Sequence, residues 1–171
     1  MTVSKILLPA ILLLAAGFVL TSGAARLAKK EVITQPIQFN HFIHVDTLEM
    51  ACTDCHPHVM EREFAGRPTL KICAECHDIS LTDSPEEVIL LEYVQSQKEI
   101  PWRRLYEVPG HVFYSHRRHT TVAGIDCMEC HGEIGLSTTP PPGPLTNLSM
   151  KFCMDCHEKK GVTTDCNACH R

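Results

Sequence analysis

Hydrophobic residues in this chain fall into one long run followed by many short ones. Residues 6–25 carry no charge and are bounded by Lys5 on one side and by Arg26, Lys29 and Lys30 on the other. A run of that length spans a bilayer as a helix. A basic start, an apolar middle and the small residues Ser22-Gly23-Ala24 also describe a secretory signal. We expect residues 1–30 to act as a retained N-terminal membrane anchor, with a cleaved signal as the alternative. Either reading carries the rest of the chain across the membrane.

Beyond Lys30 only one stretch sustains a helical period. Ser84 is placed to cap a helix, Pro85 suits its first position, and Glu87 stands where it would close a capping box. Val88, Ile89, Leu91 and Val94 continue the pattern, and the helix is expected to end near Gln97. The remaining apolar runs are only a few residues long and are interrupted by Pro, Gly and Asp. The predicted fold class is therefore mainly α with little regular structure.

The cysteines change this picture. There are 10 in 171 residues, and every one falls in a C-x-x-C-H run. The runs are Cys52-Cys55-His56, Cys73-Cys76-His77, Cys127-Cys130-His131, Cys153-Cys156-His157 and Cys166-Cys169-His170. This is the attachment signature of haem c, in which two thiols form thioethers and the adjoining imidazole becomes the proximal iron ligand. Zinc ribbons also use C-x-x-C pairs, but they need them in twos and need no histidine after the second cysteine. Histidine is 11 of 171 residues, so five chance placements after the second cysteine have odds on the order of one in a million. Five haem c groups are expected, and no cysteine is left for a disulfide.

From Arg26 onward there are about 29 residues per haem, too few to build an ordinary side-chain core as well. The haems are expected to form the core, with short helices carrying the C-x-x-C-H runs. The helix after Ser84 would pack on haem edges or on the other half of the chain. The formal charge is −4, and haem propionates would make the loaded protein more acidic. Nothing in the sequence suggests nucleic-acid binding.

The chain contains a duplication. Phe39-Asn40-His41-Phe42-Ile43-His44 recurs as Tyr114-Ser115-His116-Arg117-Arg118-His119, each followed at the same distance by a haem motif. Leu70 to Asp78 recurs as Met150 to Glu158 at a longer offset, which places an insertion near Pro140-Pro141-Pro142-Gly143-Pro144, read as an extended surface loop. The expected organisation is a two-haem unit at 31–80, a helical connector at 81–110 and a three-haem unit at 111–171. His41, His44, His116 and His119 are the candidate distal ligands, since a His-x-x-His pair on a helical turn offers both imidazoles on one face. Met150, His111 or His58 is the candidate for the fifth.

F-x-H-x-x-H followed by C-x-x-C-H resembles the class III multihaem cytochromes c, the small carriers of the cytochrome c3 and c7 type. The resemblance implies that His41 serves the Cys52 haem, His44 the Cys73 haem, His116 the Cys127 haem and His119 the Cys153 haem. It also implies a last distal ligand close to Met150. Gln35 to His41, Ile100-Pro101-Trp102-Arg103-Arg104, Val108-Pro109, Leu148-Ser149-Met150 and Thr164-Asp165-Cys166 are similar to the pentahaem subunits of alternative complex III, a bacterial quinol oxidoreductase. That likeness implies electron transfer on the outer, periplasmic face of the cytoplasmic membrane, as a relay subunit among other redox subunits and without catalytic residues of its own. A free-standing periplasmic carrier and a multihaem reductase with an open haem are the alternatives.

Overall fold

The computed structural model describes residues 32–171; the expected anchor at 6–25 lies outside them. Short helices alternate with long connections. Helix α1 is Cys52–Cys55, α2 is Leu70–Ala74 and α3 is Pro85–Ser96. Helix α4 is Cys127–His131, α5 is Met150–Lys159 and α6 is Cys166–Cys169. Among the described residues there is no β-strand, only one antiparallel bridge between Val112 and His170. None of the described helices is long and apolar enough to cross a membrane. The architecture is mainly α with little regular structure, as the hydrophobic pattern predicts.

Helix α3 starts where the sequence places it. Ser84 accepts from the Glu86 amide at 3.3 Å, and Gln97 closes the helix in the left-handed conformation at φ 51°. The capping box does not form. The Glu87 carboxylate turns away from Ser84 and is taken by His77 and by Leu81 and Thr82. The inner face also differs from the expected one. Val88 is exposed, whereas Ile89, Leu90, Tyr93 and Val94 pack with Trp102 and Cys73 around Ile37, Leu70 and Ile100. Those three form the buried hydrophobic core among the described residues. The core is small, and it lies on the Cys73 side of the chain.

The segment at 35–38 bonds both to the chain that follows α3 and to α3 itself. Gln35 uses its amide as a backbone substitute, donating to the Arg103 carbonyl at 2.7 Å and accepting from the Arg103 amide at 2.9 Å. The Gln38 amide donates to Glu86 at 2.6 Å. The proline-rich stretch is not the open surface loop expected of it. Pro141 and Gly143 are buried, and the Pro142 carbonyl accepts from the Ile33 amide at 2.9 Å.

The two copies of the repeat dock on each other reciprocally. Each His-x-x-His segment opens into one π-helical turn, Ile43–Thr47 in the first copy and Arg118–Val122 in the second. Each turn sits on the segment that follows the other copy's first haem motif. The Phe42 amide donates to the Ser137 carbonyl at 3.1 Å, and the equivalent Arg117 amide donates to the Arg62 carbonyl at 3.1 Å. Val45 packs against Gly135 on one side, and Thr120 donates to the Val59 carbonyl at 2.9 Å on the other. The pairing is isologous, like a two-fold dimer interface folded into one chain.

Candidate haem centres

Each C-x-x-C-H run is one helical turn or lies within a longer helix. Residues three and four apart share a helix face, so a turn presents both thiols and the histidine together. The amides of His56, His77 and His170 close these turns on the carbonyls of Cys52, Cys73 and Cys166 at 2.9, 3.0 and 2.9 Å. Acidic and hydroxyl caps fix where the turns begin. Asp126 accepts from Met128 at 2.8 Å, Asp165 from Asn167 at 2.7 Å, and Ser149 from Phe152 at 3.3 Å. No two of the ten cysteines are joined in a disulfide. Among the described residues no three or more His, Cys, Asp or Glu side chains converge as a chelated zinc ion requires.

Imidazoles face one another in pairs. His44 and His77 have ring centres 6.2 Å apart, His116 and His131 6.4 Å, and His119 and His157 6.3 Å. His111 and His170 are near-parallel at 5.5 Å. Burial, and after it the neighbouring His56 and His44, lower His41 to about 4. Burial and His116 lower His56, and burial, His116 and His56 lower His131. All three imidazoles are therefore held neutral, the form that binds metal.

An aromatic ring organises each distal pair. Phe39 stands edge-on to His41 at 4.8 Å and stacks on His44 at 4.6 Å. Tyr114 does the same to His116 and His119, at 5.0 and 4.8 Å. Backbone carbonyls orient four of the rings through Nδ1. His44 meets Asn40 O at 2.9 Å, His119 meets Ser115 O at 2.8 Å, His116 meets Glu63 O at 3.1 Å and His157 meets Thr163 O at 2.8 Å. The Nδ1 of His77 instead meets the Glu87 carboxylate at 2.8 Å.

The thiols form a row. Burial first, and neighbouring sulfurs after it, push several of them up, and those neighbours give the order. Cys73 and Cys55 lie within electrostatic reach of each other's motif. Burial, and after it the neighbouring Cys52, raises Cys127. Cys130 neighbours Cys156 and Cys153, and Cys153 neighbours Cys169. In space the motifs therefore run from Cys73 through Cys52, Cys127 and Cys153 to Cys166.

Known families match both halves of the chain. The class III cytochrome c family matches residues 20–101, and the family of cytochrome c7 and related cytochromes c matches residues 112–171. The multiheme cytochrome c subunit of menaquinone reductase from Nitratidesulfovibrio vulgaris is 36% identical over 156 residues, covering 79% of this chain and 74% of that subunit. The chain belongs to the class III multihaem cytochromes c. Members of this family carry covalently bound haem c, and the side chains of this cytochrome fit it. Two imidazoles opposed across one metal, each with its nitrogen about 2.0–2.1 Å away, place their ring centres about 6.3 Å apart. Three of the pairs above have that spacing, and each joins a C-x-x-C-H histidine to a His-x-x-His histidine.

Of the three candidates for the fifth distal position, His111 is the one that faces a motif histidine. The Val112–His170 bridge holds it there, with the Arg171 amide donating to the His111 carbonyl at 3.0 Å and the Phe113 amide to the Cys169 carbonyl at 2.7 Å. Met150 is 69% exposed at the first position of α5, and His58 lies over Gly66. Glu87 and Tyr106 have parts in the cytochrome's site that motif reading misses. Tyr106 stands edge-on to His131 at 4.6 Å and joins the His131 carbonyl to the Leu145 amide. No spacing rule assigns either residue to a haem motif. The aromatic rings do carry a signal, since Phe39 and Tyr114 both stand two residues before a histidine pair.

Proposed function

We propose that this cytochrome is a five-haem electron relay of a quinone-linked membrane complex, working on the periplasmic side of the cytoplasmic membrane and tethered by residues 6–25. The observation that carries the reading is the set of three imidazole pairs opposed at 6.2–6.4 Å, each joining a C-x-x-C-H histidine to a His-x-x-His histidine. Cys52 and Cys55, Cys73 and Cys76, Cys127 and Cys130, Cys153 and Cys156, and Cys166 and Cys169 would each anchor one haem c. His56, His77, His131, His157 and His170 are the proximal ligands; His41, His44, His116, His119 and His111 are the distal ones. When bound, the haems supply reversible one-electron chemistry at iron.

The chain's own residues do the rest. With one motif histidine and one distal histidine holding each haem, no coordination position would be left for a substrate, and the protein would relay electrons without bond chemistry of its own. Phe39 and Tyr114 lock the ring planes, and the carbonyls at Nδ1 fix the tautomer that leaves Nε2 free to ligate. Supporting the quinone-linked setting, the relative described above bears the name of a menaquinone reductase subunit. Purification from native membranes tests the whole reading. We expect a membrane-bound species that carries five haems by intact mass and copurifies with other redox subunits. A soluble, unaccompanied protein, or one with four or fewer haems, would overturn it.

A further inference from the structure

Glu87 is 6% exposed, and it is the buried carboxylate among the described residues. It comes from the connector helix and not from either copy of the repeat. Its Oε1 accepts from the Nδ1 of His77 at 2.8 Å and from the Leu81 amide at 2.9 Å. Its Oε2 accepts from the Thr82 amide at 2.7 Å and from the Thr82 hydroxyl. No Lys or Arg is among these partners, so the negative charge is opposed only by dipoles and by the imidazole. A carboxylate offers only acceptors, so the proton between the two groups is the Nδ1–H of His77, and Nε2 is the nitrogen left for iron.

The other oriented rings lean on neutral carbonyls, those of Asn40, Glu63, Ser115 and Thr163. A carboxylate in that position makes the imidazole a stronger donor to its metal. A buried negative charge on the ligand's far side also favours the more positive state of the iron. Both effects stabilise ferric over ferrous iron, and both fall on the motif at one end of the thiol row. Hydrogen bonding and burial around axial ligands are recognised controls of haem potential.

We propose that Glu87 is a positioning residue that lowers the reduction potential of the centre ligated by His77, making the Cys73 end of the row electronically distinct from the rest. This rests on the reading of His77 as an iron ligand. It assigns to the connector helix a purpose beyond spacing the two copies.

The test is a potentiometric titration of the haem-loaded protein, followed by visible absorption and by electron paramagnetic resonance, in the parent, Glu87→Gln and Thr82→Val proteins. In Glu87→Gln one of the five steps should move to higher potential by at least tenfold in its equilibrium constant, about 59 mV for one electron. The other four should stay, and all centres should remain low-spin. Thr82→Val removes one donor from the carboxylate, leaves the His77 contact in place and alters an exposed residue, so it keeps the question open if Glu87→Gln does not fold. The same step should then move to lower potential. A merely structural role would not give opposite shifts in one step. Five steps that stay put in both variants would overturn this inference and leave the five-centre reading standing. A parent protein with fewer than five steps, or with high-spin iron at rest, would overturn both.

Discussion

Tyr114 and Phe39 occupy the same place in the two copies, yet only Tyr114 carries a hydroxyl. Burial pushes Tyr114 up to about 12. A folded pKa above the ordinary value near 10 means the neutral phenol is favoured by folding. The stabilisation is complete below about pH 10 and is lost as pH rises towards 12. Thermal unfolding from pH 8 to 12 should therefore show an alkaline loss in the parent that Tyr114→Phe removes, with no change between the two at neutral pH. Ligand substitutions are the sharper test at this scale. His44→Ala, His119→Ala and His111→Ala should each convert one low-spin iron to high spin by electron paramagnetic resonance. Met150→Leu should convert none, because that side chain stands out in solvent on α5.

Among the elements, the cap at Ser84 and the stop near Gln97 were legible in the sequence because they depend on neighbours in the chain. The fate of Glu87 was not, because its partner His77 is ten residues away and belongs to another element. The inward turn of Leu90 and Tyr93 was hidden for a similar reason. Periodicity gives a face, but the small core of Ile37, Leu70 and Ile100 decides which edge of that face is covered. Pro141 and Gly143 read as surface because proline-rich runs usually are, yet both are buried, and the residue between them is bonded to Ile33. The haem motifs were fully legible, since attachment needs only residues within five positions. The pairing of His111 with His170 was not, since a bridge between distant segments makes it. The core gives an element-scale prediction. Leu70→Ala should cost about 2–5 kcal/mol in chemical unfolding, whereas Val88→Ala, on the exposed side of α3, should stay within about 0.5 kcal/mol.

At the scale of the whole molecule, two features hold the chain together: the small core around Ile37, Leu70 and Ile100, and the contact of the two copies. Gly135 tests the second. A Cβ there would stand 3.1 Å from Val45 Cγ1, so Gly135→Leu should overpack the junction and lose about 1–3 kcal/mol, read as a lower unfolding midpoint. The bond from Phe42 to Ser137 and its counterpart from Arg117 to Arg62 also speak to ancestry. A surface that accepts its own equivalent is what a homodimer has, and a tandem fusion of its gene would keep that surface while freeing the halves to diverge. Divergence is visible where the symmetry fails: one half gained the connector helix with its carboxylate, and the other gained a further haem motif and the tail that returns His170 to His111. Present-day halves, expressed as separate haem-loaded chains, should therefore find each other in solution, and sedimentation of the mixture should recover a species of the parent's size.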